Sequence, residues 1–220
     1  MSKKNSEMEQ LARQLYQSHK RQLDLLTSHR SESAFQLSVH RLFGGSPTQE
    51  KTVRLGKNEL KYSNHTKTNL SFLPTAWQEE LEKVRGTWPG CEKWWAGYPF
   101  IAWVEIKTSD DGTTGYLKLN AEVGPISNHK ARKGIIKAIA AAATAAGLGR
   151  IRFPEGASDK GRLYSRFLQE GSVALNDIRN AEEIENKLVQ LLAGFEPEFE
   201  LVASIIPQFL SLSGASEAER

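Results

Sequence analysis

Residues 98–147 spell out a folding unit: apolar strand, tight turn, alternating strand, long helix. Residues 99–107 are apolar and rich in aromatic and β-branched side chains, which suit a pleated surface. Residues 115–124 alternate. Tyr116, Lys118, Asn120 and Glu122 fall on one face, and Leu117, Leu119, Ala121 and Val123 on the other. Period two is the signature of a strand with one buried face. Between them, Asp111-Gly112 signals a hairpin, because glycine accepts the positive φ of a tight turn. Pro125 stops the second strand. Ser127 or Asn128 can cap the alanine-rich helix that follows, and Gly147 marks its end. A hairpin and a helix that each have one apolar side must bury those sides together, so the unit points to an α+β fold.

The flanking segments fit that scheme. Residues 6–28 carry Met8, Leu11, Leu15 and Leu25 at helical spacing, a candidate surface for a partner or a second copy. A second helix is expected from Ser31 or Ser33 to Leu42, and Gly44-Gly45 breaks it. Short strands are expected at 52–56 and 60–62, and a better one at 69–73. Pro74 then opens a helix over 76–85. The aromatic passage 87–98 holds Trp88, Trp94, Trp95 and Tyr98, either a stacking platform for bases or a cover for the sheet edge. Strands are expected at 150–153 and 163–168, and a helix over 181–192 capped by Asn180. A last helix starts at Pro197, with Pro207 kinking or shortening it. The expected architecture is α+β: an antiparallel sheet built on the central hairpin, about 99–124, packed by helices. An N-terminal helical segment, 1–45, precedes the α+β domain, 46–210, and a polar tail, 211–220, is expected to be disordered.

Several function classes fall away. A single cysteine, Cys91, excludes an intrachain disulfide and a cysteine-rich zinc site. No apolar run reaches membrane-spanning length, and residues 1–9 lack the apolar core of a secretion signal, so a cytoplasmic protein is expected. The five histidines lack i,i+4 pairing, and no glycine-rich loop precedes a helix, so neither a zinc helix nor a phosphate loop is present.

Two constellations remain. Residues 127–170 hold nine Lys/Arg against three acids, whereas residues 171–220 hold three against nine. Lys130, Arg132, Lys133 and Lys137 at the start of the long helix, with Arg150, Arg152 and Arg166 beyond it, are candidate phosphate contacts, and Trp94 or Trp95 a candidate stacking group. The other constellation is Glu105-Ile106-Lys107. It matches the E-x-K half of a metal-dependent nuclease signature, in which carboxylates hold Mg²⁺ and the lysine activates water, with Glu122 as a further carboxylate. The aspartate that should precede it is missing: none lies between Asp24 and Asp110. The first expectation is therefore no catalytic residue and no cofactor; the alternative is a Mg²⁺-dependent nuclease using Glu105 and Lys107 with Glu122. Glu105 and Lys107 are expected to pair with Lys118 or Glu122 across the hairpin.

Certain pieces taken in order resemble the C-terminal region of bacterial PD-(D/E)xK-superfamily nuclease proteins, some of them encoded near defence or restriction systems. The pieces are residues 16–30 with their His-Arg ending, the run 67–77 closing on Trp77, the strand 117–125 with Arg132 in the following helix, and Leu163-Tyr164-Ser165-Arg166 with the closing helices. In such proteins the nuclease core lies upstream of this region. The resemblance thus implies a non-catalytic accessory half of a bacterial or phage defence-type system, with nucleic acid or a nuclease as partner.

Overall fold

The structure, a computed structural model, describes residues 33–45, 51–83, 88–95 and 97–209. The chain divides into two compact units, Met1–Ser33 and Ala34–Arg220. The expected helix over 6–28 and the tail over 211–220 lie outside the described residues. All the elements named here belong to the second unit, so the helix before the Gly44-Gly45 break is part of the α+β unit.

Seven strands form one antiparallel sheet: β1 (Thr52–Leu55), β2 (Asn58–His65), β3 (Asn69–Pro74), β4 (Phe100–Thr108), β5 (Gly115–Val123), β6 (Ser165–Arg166) and β7 (Ser172–Leu175). The first five are neighbours in chain order, and β6 and β7 both pair with β5. Among the described residues five α-helices accompany them: α1 (Ala34–Phe43), α2 (Thr75–Glu82), α3 (His129–Ala145), α4 (Ala181–Gly194) and α5 (Glu196–Ile205). The architecture is the α+β one read from the sequence.

The central hairpin pairs Phe100 with Val123 through to Thr108 with Gly115 without a slip. Its turn is tied by Asp111, whose carboxylate accepts from the Thr113 and Thr114 N–H groups at 2.8 Å, while Gly112 takes φ +67°. The alternation decides the faces. Phe100, Ala102, Val104, Leu117, Leu119, Ala121 and Val123 join one hydrophobic cluster with the helices. Ile101 and Trp103 are buried outside that cluster, on the other face with Glu105, Lys107 and the polar row of β5.

Trp77 of α2 sits at the centre of the helical side. Its ring packs on Phe100, Phe167 and Phe199 at 5.9, 6.3 and 5.6 Å, and its Nε1–H donates to the Phe199 carbonyl at 2.8 Å. Each such ring pair contributes about 0.5–1.5 kcal/mol beyond the apolar area it buries. The caps are those the sequence offers: the Asn128 side chain accepts from Ala131 N–H and that of Asn180 from Glu183 N–H. Pro207 turns the end of α5 into a short 3₁₀ turn, Ile206–Phe209, because it cannot donate to the helix ladder.

Two expectations are corrected. Residues 150–153 do not form a strand; a single bridge, Ile151 to Leu168, is all that pairs there. The strand expected over 163–168 shrinks to Ser165–Arg166, and the ladder is taken up instead by β7, whose residues run along Gly115–Lys118.

Candidate nucleic-acid interface

The loop after α3 and the far end of β5 meet at an open cavity of about 590 Å³, lined by Trp94, Glu122, Pro154, Arg162, Tyr164, Arg166 and Gln169. That volume lies within the range of small-ligand sites, roughly 300–1,000 Å³. Each wall has a structural origin. Glu122 is on the outward face of β5, and β6 lies beside it, pairing Arg166 with Glu122. Tyr164 precedes β6 and is 47% exposed. Trp94 is set by a close approach: the backbone at Gly124, just past β5, leaves no room for a side chain, since a Cβ there would meet the Trp94 ring at 2.2 Å. Trp94 and Tyr164 contact each other with centroids 6.0 Å apart and rings tilted by 36°. Trp95 follows, 42% exposed, edge-on to Trp94 at 6.4 Å.

Trp95 holds φ +50°, and Glu170, next to Gln169, holds φ +56°. Among the described residues these are the non-glycine positions in the left-handed region, and both adjoin the cavity lining. Strain of this kind, about 1–3 kcal/mol per residue, persists only where the surrounding packing enforces it, and it clusters at functional sites.

The charges are arranged unevenly. Arg166 lies over the Trp103 ring with its guanidinium carbon 4.9 Å from the centroid, and its Nε is 3.6 Å from the Glu122 carboxylate. Both contacts fix a guanidinium that is still 58% exposed. Glu122 itself is only 12% exposed, and burial pushes its carboxyl above the ordinary value, with Arg166 and Arg132 pulling the other way. Arg162 is exposed; its backbone N–H donates to Asp159 O at 3.2 Å, while its guanidinium makes no hydrogen bond or ion pair among the described residues.

The basic residues singled out in the sequence separate into two groups. Lys130, Lys133 and Lys137 are exposed, share one side of α3 and have no carboxylate partner among the described residues. Arg132 points the opposite way and is corrected as a phosphate contact. It is 2% exposed, and its Nε, Nη1 and Nη2 donate to Gly124 O at 3.0 Å, Ala157 O at 2.9 Å and Ser165 Oγ at 2.7 Å. Burial depresses its pKa, the nearby Arg162 adds to that, and Glu122 opposes it. Arg132 therefore clamps the loop that carries Arg162 and Tyr164 onto the end of β5. His129, beside it, contacts Ser158 O of the same loop at 3.0 Å.

Arg150 is likewise occupied. Its Nε and Nη2 donate to the two oxygens of buried Glu198 at 2.8 and 2.7 Å, and it stacks over Phe195 at 3.9 Å. This pair pins the chain after α3 to α5. Arg152 donates to Gly149 O at 2.6 Å and is otherwise open to solvent beside Glu170. Of the aromatic passage, Trp88 is buried in the core and Tyr98 packs against it with its hydroxyl donating to Glu82 at 2.9 Å, so the platform is reduced to Trp94 and Trp95.

Glu105 and Lys107 do not reach across the hairpin as expected. They pair with each other at 2.7 Å on one strand face, and Asn120 Nδ2 donates to Glu105 at 3.0 Å. Burial raises the Glu105 pKa, but the Lys107 and Asn120 contacts outweigh it and hold the carboxyl below the ordinary value. Glu122 shares that face, but Glu105 is registered with Lys118, four residues away. At about 3.3 Å per residue the two positions are roughly 13 Å apart along the strand. Glu105, Lys107 and Glu122 are thus not brought together. Among the described residues no group of three His, Cys, Asp or Glu side chains is placed to hold a metal ion.

Sequence reasoning missed Arg162, Tyr164 and Gln169. The available signal was the alternation at 164 and 166 beside a turn-rich loop, which puts both side chains on the face opposite the core residues Ser165 and Phe167. Among the described residues no helix is long and apolar enough to cross a membrane. Compared with known proteins, the chain matches no family model, no curated protein and no solved structure.

Proposed function

We propose that this chain is a non-catalytic nucleic-acid-binding module, of the accessory kind that its resemblance to the C-terminal region of PD-(D/E)xK-superfamily proteins implies, and that it grips a single strand at the end of β5. The observation that carries the reading is the pairing of an aromatic wall, half-buried Trp94 and exposed Tyr164, with two exposed guanidiniums, Arg162 and Arg166, around one open cavity. Bases stack on aromatic faces whatever their identity, and cations alongside hold the backbone. A duplex hides its base faces, so an aromatic wall of this sort favours unpaired nucleotides.

The exposed row Lys130, Lys133 and Lys137 extends the positive surface. It begins at the helix start that Arg132 and His129 tie to the cavity loop. A strand leaving the cavity along α3 would meet it.

The test is tryptophan-fluorescence titration of the whole chain with single-stranded DNA and RNA at several salt concentrations. Quenching is expected, with log K falling linearly in log salt. Tyr164→Ala should weaken binding roughly 5- to 100-fold with little change in salt slope, the loss of one stacked base being worth about 1–3 kcal/mol. Lys133→Ala should lower the salt slope by about one. Absence of binding at low salt refutes the reading.

A further inference from the structure

The aromatic wall accepts any base, but Glu122 does not. Its carboxylate is the one anion on the wall of a cavity otherwise lined by two arginines, two aromatic rings, Pro154 and Gln169. Among the described residues its one ion-pair contact is Arg166, at 3.6 Å, longer than a hydrogen bond. An ionised carboxylate accepts and never donates, through two oxygens about as far apart as two neighbouring N–H groups on a flat ring. The ligand that completes this site must therefore offer two adjacent donors in one plane, a face to stack and a negative charge for Arg162 and Arg166.

The bases differ on this point. The pairing edge of uracil or thymine offers one N–H between two carbonyl oxygens, which the carboxylate repels. Adenine and cytosine each place an amine beside a bare ring nitrogen, again one donor next to an acceptor. Guanine alone sets N1–H beside its 2-amino group. A guanidinium from a protein partner would also offer two donors, but Arg162 and Arg166 on the rim repel it.

We propose that the cavity holds one unpaired guanine of a single strand, its N1–H and N2–H donated to the Glu122 carboxylate, its ring against Trp94 and Tyr164, and its phosphate facing Arg162 and Arg166. This inference rests on the nucleic-acid reading and sharpens it, turning a sequence-tolerant surface into one with a single-base preference. Arg166 has a double role. It holds Glu122 in place from one side, and Trp103 beneath it keeps it from swinging away.

The experiment is a titration of the whole chain with oligo-dT and with the same strand carrying one central dG, dA, dC or dI. The dG strand should bind roughly 10- to 100-fold tighter than oligo-dT, since a good two-bond base contact discriminates by about that factor. Inosine keeps N1–H and lacks the 2-amino group, so the dI strand should lose roughly tenfold relative to dG. Glu122→Gln should bring the dG strand down to the level of oligo-dT. The inosine strand decides the matter without any variant if that substitution disturbs the fold. Oligo-rU with one central guanosine separates RNA from DNA, and free guanosine monophosphate tests whether the mononucleotide suffices. Equal, salt-sensitive affinity for all five DNA strands overturns the guanine inference and leaves the nucleic-acid reading in place. No binding of any strand removes both.

Discussion

Arg132→Ala should be among the most damaging substitutions in the chain, although arginine is usually a surface residue. Three guanidinium nitrogens donate to Gly124 O, Ala157 O and Ser165 Oγ, all within 3.0 Å, from a side chain almost fully out of water. Hydrogen bonds to a charged group contribute about 1.5–3 kcal/mol each, so three give roughly 4.5 kcal/mol at the low end. Two corrections reduce that. Gly124 O keeps a donor in Ile126 N–H at 3.0 Å, and Ala157 O keeps Ser165 Oγ–H at 2.8 Å, so neither carbonyl is orphaned. Removing the cation also relieves its desolvation, only part of which Glu122 offsets. The expected loss is about 3 kcal/mol, a large share of the roughly 5–15 kcal/mol that separates folded from unfolded domains. Urea denaturation monitored by tryptophan fluorescence measures it. Arg132→Lys should lose most of the same amount, because an ammonium cannot reach three acceptors set in a guanidinium plane. The decisive variant is Arg132→Met, similar in size and without charge. If it equals or exceeds the parent in stability, the hydrogen bonds return no more than desolvation removes, and the clamp is not what holds the loop. The variant that folds should also bind nucleic acid less tightly but with an unchanged salt slope, since Arg132 touches no phosphate.

Gly124→Ala should displace the Trp94 ring, because a Cβ lands 2.2 Å from it; nucleic-acid affinity should fall with a red-shifted Trp emission, and an unchanged spectrum refutes the contact. Glu122 gives a pH signature. Burial holds its folded-state pKa above the unfolded value, with Arg166 opposing, so folding favours the protonated form and the ionised carboxylate lowers stability once pH rises through that raised value. Glu122→Gln should therefore melt higher than the parent at neutral pH, with the gap closing as pH falls through the ordinary carboxylate range. A lower or equal Tm at neutral pH contradicts this.

How much of this was legible in the sequence depends on the range of the interactions concerned. The hairpin, its turn and α3 were legible because their determinants are local. Alternation in residues 115–124 fixes which side chains can share a face, Asp111 satisfies N–H groups two and three residues on, and Asn128 caps its own helix. The same holds for Asn180 and α4, and for Pro207 at the end of α5. Charge counting located the lysine row, since exposed cations need no partner to stay where the helix puts them.

The rest was decided by contacts between residues distant in the chain. Nothing local distinguishes Arg132 from Lys133. Arg132 is buried because its position on α3 faces Ala157 and Ser165, 25 and 33 residues on. The strand expected at 150–153 reduces to one bridge because only Ile151 meets a partner, Leu168, just past β6. Glu105 and Lys107 close on each other because Asn120 occupies the cross-strand side of the carboxylate. The cavity is the extreme case. Residue 94, residue 122 and residues 162–169 come together only when β6 docks on β5 and Gly124 admits the Trp94 ring. Sequence patterning thus determined which faces are apolar, where helices and turns begin and end, and where positive charge accumulates. The tertiary structure determined which arginines are clamps and which stay exposed, and it alone assembled the cavity. A pattern fixes the periodicity of a segment, whereas the pairing of polar groups is settled only once burial forces each of them to find a partner.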